Sequence, residues 1–474
     1  MNARTPNKLL EGPILKSLLT LAIPIVLANV LQSAYQIIDA FWVGRLGGAA
    51  VAAVSISFPV MFLMIALGMG LAMAGSTLIA QYRGAGNDTM VAHIAAQTLN
   101  MVAALSITLS VLGYIATPAL LHMMGVGADV YPGALGFMRV SFIGLLFNFS
   151  FFVFQSIMRG VGRPTLPVYI VLVTVILNFA LDPLFMFGWG PIPGYGVMGA
   201  ALATLATQVL AALVGMIVLR AGRHGIHLRP RDFVPDLTYM KRAFYLGAPA
   251  SVEQSARALG LMVLVFLITS FGTQTMAAYG VGSNIVQVVI IPAFGLSMAI
   301  SVLVGQNIGA GNIERAARIG RLGTQLAFST LTVIGIIVFL FAPAFSAFFV
   351  PHDPGVIAES AHFLRVMSLA WGFMGIQIAL IGALRAAGNM VTTMMLTITS
   401  QWVIQFPLAY ILSKHTGLNA NGVWWAFPIS NVLSAMVVLA VYARGDWKKT
   451  RLISTDDKEV ASITKEAELE EPMR

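Results

Sequence analysis

Cysteine is absent, which excludes disulfides, thiolate catalysis and Cys-ligated metals. Charge is scarce as well. Charged residues are 10% of the 474, whereas ordinary soluble domains carry about 25%. With 58% hydrophobic residues and a mean hydropathy of +0.84, a soluble enzyme of this length is excluded. The seven histidines are scattered and lack ligand spacing. The apolar runs hold no His–Asp metal set and no Ser–Lys pair, so a membrane-embedded enzyme is disfavoured, and no cofactor is expected. Residues 1–16 are polar and lead into a run long enough to span a bilayer, so no cleavable signal is expected.

What is present is an internal copy. Residues 70–87 read GLAMAGSTLIAQYRGAGN and residues 295–312 read GLSMAISVLVGQNIGAGN, with 11 of 18 positions identical at an offset of 225. The same offset carries Pro24 onto Pro249 and Gly47 onto Gly272; at 226, Arg159 falls on Arg385 and Gly196-Val197 on Gly422-Val423. One half therefore repeats the other in the same orientation. In a chain this apolar, a duplicated helical bundle points to a transporter that alternates access.

Apolar segments of about 20 residues match the ~30 Å hydrocarbon core. They give an all-α polytopic membrane protein of about twelve spans in two parallel six-helix repeats: 18–43, 51–80, 94–120, 133–157, 166–187 and 197–219, then 246–270, 276–304, 322–349, 356–384, 391–412 and 422–442. The expected organisation is a cytoplasmic N-terminus (1–17), an N-lobe (18–219), a basic cytoplasmic linker (220–245), a C-lobe (246–442) and a solvated cytoplasmic tail (443–474). An even number of spans per half explains the parallel repeat. With the N-terminus inside, 23 of 28 Lys and Arg lie on the cytoplasmic side, leaving Arg45, Arg139, Arg257, Arg365 and Lys414 elsewhere. The net charge of +9 thus reads as topology and anionic-lipid contact in a cell (plasma or inner) membrane, with no nucleic-acid partner. The Gly-Ala-Gly-Asn segments at 84–87 and 309–312 read as sharp turns, not phosphate loops.

Three carboxylates lie within spans: Asp39, Asp182 and Glu253. A charged acid near mid-membrane costs at least ~2.5–3.5 kcal/mol and needs a partner, a proton or water. At 1.5 Å per residue, Asp39 and Asp182 lie roughly 30 Å and 24 Å from the cytoplasmic ends of their helices, in the outer half. Gln32, Tyr35 and Asp39 share one face of the first helix; Asn178 and Asp182 are one turn apart on the fifth, and Thr204 and Thr207 on the sixth can add hydroxyls. Such a set can hold a sodium ion at Asp39, Asn178 and Asp182, or a proton shared between the acids. The C-terminal copy has Leu264 and Leu408 at the two acidic positions, so the job belongs to one lobe.

Glu253 has Arg257 one turn later, and an intrahelical ion pair is the plain reading, with a gate or substrate role for the two as the secondary one. Pro24 and Pro183 each remove a helical hydrogen bond and mark places where helices can bend.

These features together resemble the multidrug and toxic compound extrusion (MATE) transporters over about 18–442: the first helix 24–39, the turn Val43-Gly-Arg-Leu-Gly47, the two Gly-Ala-Gly-Asn turns with Gln81 and Gln306 before them, and the fifth-helix stretch 178–182. The resemblance implies two six-helix lobes and outward export of amphipathic organic cations in exchange for protons or sodium. In the DinF-like branch it implies an N-lobe cation site comprising Asp39, Asn178 and Asp182, with Gln32, Tyr35 and Thr204 beside them. The NorM-like branch carries a C-lobe acidic cluster; Glu253 comes too early for that pattern and the tenth span has no internal Asp, which favours the DinF-like branch. The expected partners are small amphipathic or cationic molecules and lipids, and the protein is expected to be a monomer. A lipid-linked oligosaccharide flippase of the same superfamily and a non-transporting receptor or scaffold are the alternatives.

Overall fold

The computed structural model of the chain describes residues 8–191, 193–222, 225–450 and 452–453, and these are dominated by long helices. In chain order the main ones are α1 (Ile14–Arg45), α2 (Gly48–Ala85), α3 (Asp88–Met123), α4 (Tyr131–Gly160), α5 (Thr165–Phe187), α6 (Val197–Ala221), α7 (Leu237–Thr269), α8 (Thr273–Gly309), α9 (Ile313–Phe349), α10 (Pro354–Ser368), α11 (Trp371–Ala386), α12 (Met390–Lys414) and α13 (Ala420–Arg444). Eleven are long and apolar enough to cross a membrane by themselves; α10 and α11, bent by 54° at their junction, make a twelfth span together. This is the all-α polytopic architecture read from the hydropathy.

Helix ends follow the repeated glycines. Gly47 and Gly272 precede α2 and α8 with φ of 103° and 101°, and Gly86 and Gly311 close the two Gly-Ala-Gly-Asn turns with φ of 75° and 80°. Only glycine adopts such angles without strain. Beside the first turn, Asn87 accepts a hydrogen bond from the Met90 amide and caps α3.

The described residues pack as two units. One unit contains the chain up to Val26 together with Val252–Ile453; the other contains Leu27–Ser251. The unit boundaries fall inside the helices α1 and α7. Leu18, Leu21, Ala22 and Ile25 of α1 are buried in one core with Leu296, Ile300 and Leu303 of α8 and Leu380 of α11. In the other unit the start of α7 docks on α2, where the Ser251 hydroxyl donates to the Leu67 carbonyl at 2.7 Å. A glycine makes each docking possible. A Cβ on Gly295 would lie 2.3 Å from the Val26 side chain, and one on Gly70 would lie 2.1 Å from the Ser251 hydroxyl.

Two connections also differ from expectation. The linker set at 220–245 is already helical from Leu237, because Asp236 caps α7 by accepting from the Tyr239 amide at 3.0 Å. The segment before it is pinned to α3: Gln97 donates to the carbonyls of Asp232 and Val234, Asn100 donates to that of Phe233, and His93 Nε2 lies 3.0 Å from Asp236. The tail set at 443–474 is exposed at Ala443, Arg444, Asp446, Lys448 and Lys449, but not throughout. Trp447 is buried, stacks on Tyr442 at 5.0 Å and donates its indole N–H to the Tyr442 carbonyl. Residues 451 and 454–474 of that tail, and residues 1–7 of the N-terminus, lie outside the described residues.

Candidate functional site

Within the unit Leu27–Ser251, α1, α5 and α6 bring six of the expected side chains into one network. Asn178 lies at its centre. Its amide nitrogen donates to Asp39 Oδ1 at 2.7 Å and to Asp182 Oδ2 at 2.8 Å. Its carbonyl oxygen accepts from the Tyr35 hydroxyl at 2.6 Å, and that hydroxyl also lies 2.6 Å from Thr207 Oγ1. Thr204 Oγ1 reaches Asp39 Oδ2 at 3.5 Å. The helical spacing explains the convergence: Tyr35 and Asp39 are one turn apart on α1, as are Asn178 and Asp182 on α5.

Asn178 and Asp182 are fully buried. Two carboxylates bonded to one nitrogen repel each other if both are ionised, so the pair favours a bound proton or cation. Asp182 Oδ1 is buried and has no hydrogen-bond partner among the described residues. That is an open acceptor within the acidic network. The available ligands are hard oxygens from two acids, an amide and hydroxyls, a set suited to an alkali cation and not to a transition metal. Among the described residues no three His, Cys, Asp or Glu side chains gather as a metal site.

Gln32 is not brought in. It is exposed, and no hydrogen bond links it to the network among the described residues. Pro24 and Pro183 both lie inside helices that continue through them.

A mainly apolar cavity of about 170 Å³ opens between α2, α4 and α6 of the same unit, lined by Phe58, Met61, Phe137, Asn148, Thr204 and Gln208 among others. Thr204 belongs both to this wall and to the acidic network.

Glu253 differs from its expected pairing. Its main partner is Arg385 on α11, whose Nη2 lies 2.9 and 3.1 Å from the two carboxylate oxygens, and Thr397 on α12 donates to Oε1 at 3.1 Å. Arg257, the expected partner, is farther away at 3.5 Å. From the sequence, Arg385 belongs at a cytoplasmic helix end, outside the expected site. The available signal was an intramembrane Glu253 in need of compensation and an arginine at the end of the largely apolar stretch of α11.

The MatE family model matches residues 24–184 and 249–411, once on each repeat. The chain is 30% identical over 447 residues to the probable multidrug resistance protein YoeA of Bacillus subtilis (strain 168), covering 92% of this chain and 96% of that one. It is 26% identical over 425 residues to a protein of Shewanella oneidensis named FAD transporter, covering 90% and 93%. Among solved structures, an outward-facing multidrug resistance MATE transporter of the MOP superfamily superposes with a TM-score of 0.88 at 25% identity, over 95% of this chain and all of that one. Twelve spans, the duplicated halves and a family match on both of them agree, and the chain belongs to the MATE family of multidrug transporters.

Proposed function

We propose that this transporter exports amphipathic organic cations across the cell membrane in exchange for protons, by alternating access, with both termini cytoplasmic. The observation that carries the coupling site is the Asp39–Asn178–Asp182 bridge with the unpartnered Asp182 oxygen. A proton or cation taken up there joins the two acids and discharges their repulsion. Its release restores the charge that an incoming cation can use. The apolar cavity behind Thr204 supplies a wall for the hydrophobic body of such a solute, as concave, mainly apolar sites do. The paired aspartates lie in one half only, so coupling is assigned to that half.

Sodium is the runner-up coupling ion, since Asn178, Thr204 and Tyr35 offer neutral oxygens beside the acids. Uptake of ethidium into proteoliposomes under separately imposed proton and sodium gradients tests the proposal. Accumulation driven by the pH gradient alone is expected. Accumulation indifferent to both gradients would overturn secondary transport.

A further inference from the structure

The second unit, Val252–Ile453 with the start of α1, holds a buried charge cluster with unequal signs. Glu253 supplies one negative charge; Arg385 and Arg257 supply two positive ones. Both carboxylate oxygens are already engaged by Arg385, and Thr397 adds a third bond. Arg257 is therefore redundant for neutralising Glu253 and reaches it only at 3.5 Å. Among the described residues neither arginine has another acidic partner. The Nε groups of both are buried and lack an acceptor. The Arg257 side chain is 33% exposed, whereas Glu253 is fully buried, so Arg257 is the more open member of the pair. The two arginines share one carboxylate, and the excess positive charge inside a membrane protein is costly unless something else supplies a second anion.

The backbone around Arg257 is specialised too. Opposite it, residues Thr399–Gln405 of α12 form a π-helix, a rare form frequently found at functional sites. Its Gln401 donates to the Arg257 carbonyl at 3.2 Å, and Trp402 donates its indole N–H to the Ala256 carbonyl at 3.1 Å. Gln401 occupies the space that a Cβ on Gly260 would need, at 2.4 Å. These contacts hold the α7 backbone on either side of Arg257 against α12.

We propose that Arg257, backed by Arg385, forms an anion-accepting site that takes the carboxylate or phosphate group of an amphipathic solute. The planar guanidinium fork suits both groups. Resting on the export reading, the inference widens the substrate class from cations to solutes that also carry an anionic group. Each unit then has its own electrostatic task, with acids open to cations in one and an arginine open to anions in the other.

The test is equilibrium binding to the purified full chain in nanodiscs of zwitterionic lipid. The probes are fluorescein, which carries a carboxylate, and ethidium, which carries none. Arg257→Gln is expected to lower the ratio of fluorescein to ethidium affinity roughly tenfold, the scale of one lost charge-assisted contact. Arg257→Lys, which keeps the charge and loses the fork, is expected to fall between. Gel filtration and thermal unfolding of each variant report on folding. An unchanged ratio in folded Arg257→Gln would overturn the site. Repeating the titration with phosphatidylglycerol in the nanodiscs separates the sources: Arg257-dependent competition by the lipid identifies a headgroup as occupant, and its absence leaves a soluble anion. A wild type that binds fluorescein through Arg257 but moves no ethidium in proteoliposomes would fail the export proposal while upholding the anion site.

Discussion

Val26 and Ser251 occupy the same position in the two repeats, 225 residues apart, and at each of them a helix passes out of one packing unit into the other. Each follows a proline by two residues, Pro24 and Pro249, and each is met by a repeat-equivalent glycine, Gly295 and Gly70. The exchange of helix starts is thus built twice from the same parts: a proline that frees a carbonyl, and a glycine that lets the helices approach.

Close approach at these glycines predicts an asymmetry among alanine substitutions. Gly70→Ala and Gly295→Ala should each destabilise the protein by about 1–3 kcal/mol, the usual cost of overpacking. Gly280→Ala, where a Cβ meets nothing within 4 Å, should be neutral or slightly stabilising. Thermal unfolding in detergent compares the three. Equal melting temperatures would refute the packing role.

Asp39→Asn and Asp182→Asn should each nearly abolish coupled ethidium efflux at wild-type abundance, since each keeps the side chain's size and removes its charge. Full efflux by both variants would remove these acids from the coupling step.

Tyr35→Phe should be milder. The hydroxyl donates to the Asn178 carbonyl and so fixes the amide with its nitrogen toward the two carboxylates. Without it the amide loses a tether while the acids remain. Reduced efflux with a retained ion dependence is expected; a loss as deep as that of Asp39→Asn would make the tyrosine itself a participant.

Glu253→Gln should reduce stability more than transport. It leaves two guanidiniums facing a neutral amide, and breaking a buried pair from one side costs about 3–5 kcal/mol. The double variant Glu253→Gln/Arg385→Gln should regain part of that loss in thermal unfolding. Normal stability with abolished efflux would shift the coupling site to this unit.

Replacing sodium with choline at fixed pH separates the two coupling ions. Efflux should persist in choline and stop when the pH gradient is collapsed. Efflux lost in choline under an intact pH gradient would assign the coupling to sodium.

Much of this protein is determined by the sequence alone. Twelve spans follow from apolar run length, because a ~30 Å core admits few other solutions. The duplication is written in the Gly-Ala-Gly-Asn turns, where positive φ restricts the residue choice. The convergence of Tyr35 with Asp39 and of Asn178 with Asp182 was legible because residues one turn apart share a helix face. What local spacing does not encode, only the tertiary structure decided. Gln32 has the same spacing as Tyr35 yet stays exposed, because the face of a helix that meets its neighbours is set by the whole bundle. Glu253 has an arginine four residues away and pairs with one 132 residues away, because the bidentate geometry of Arg385 outcompetes a local contact at 3.5 Å. The unit boundaries inside α1 and α7 were likewise invisible, since hydropathy marks where a helix crosses the bilayer and not which core it fills.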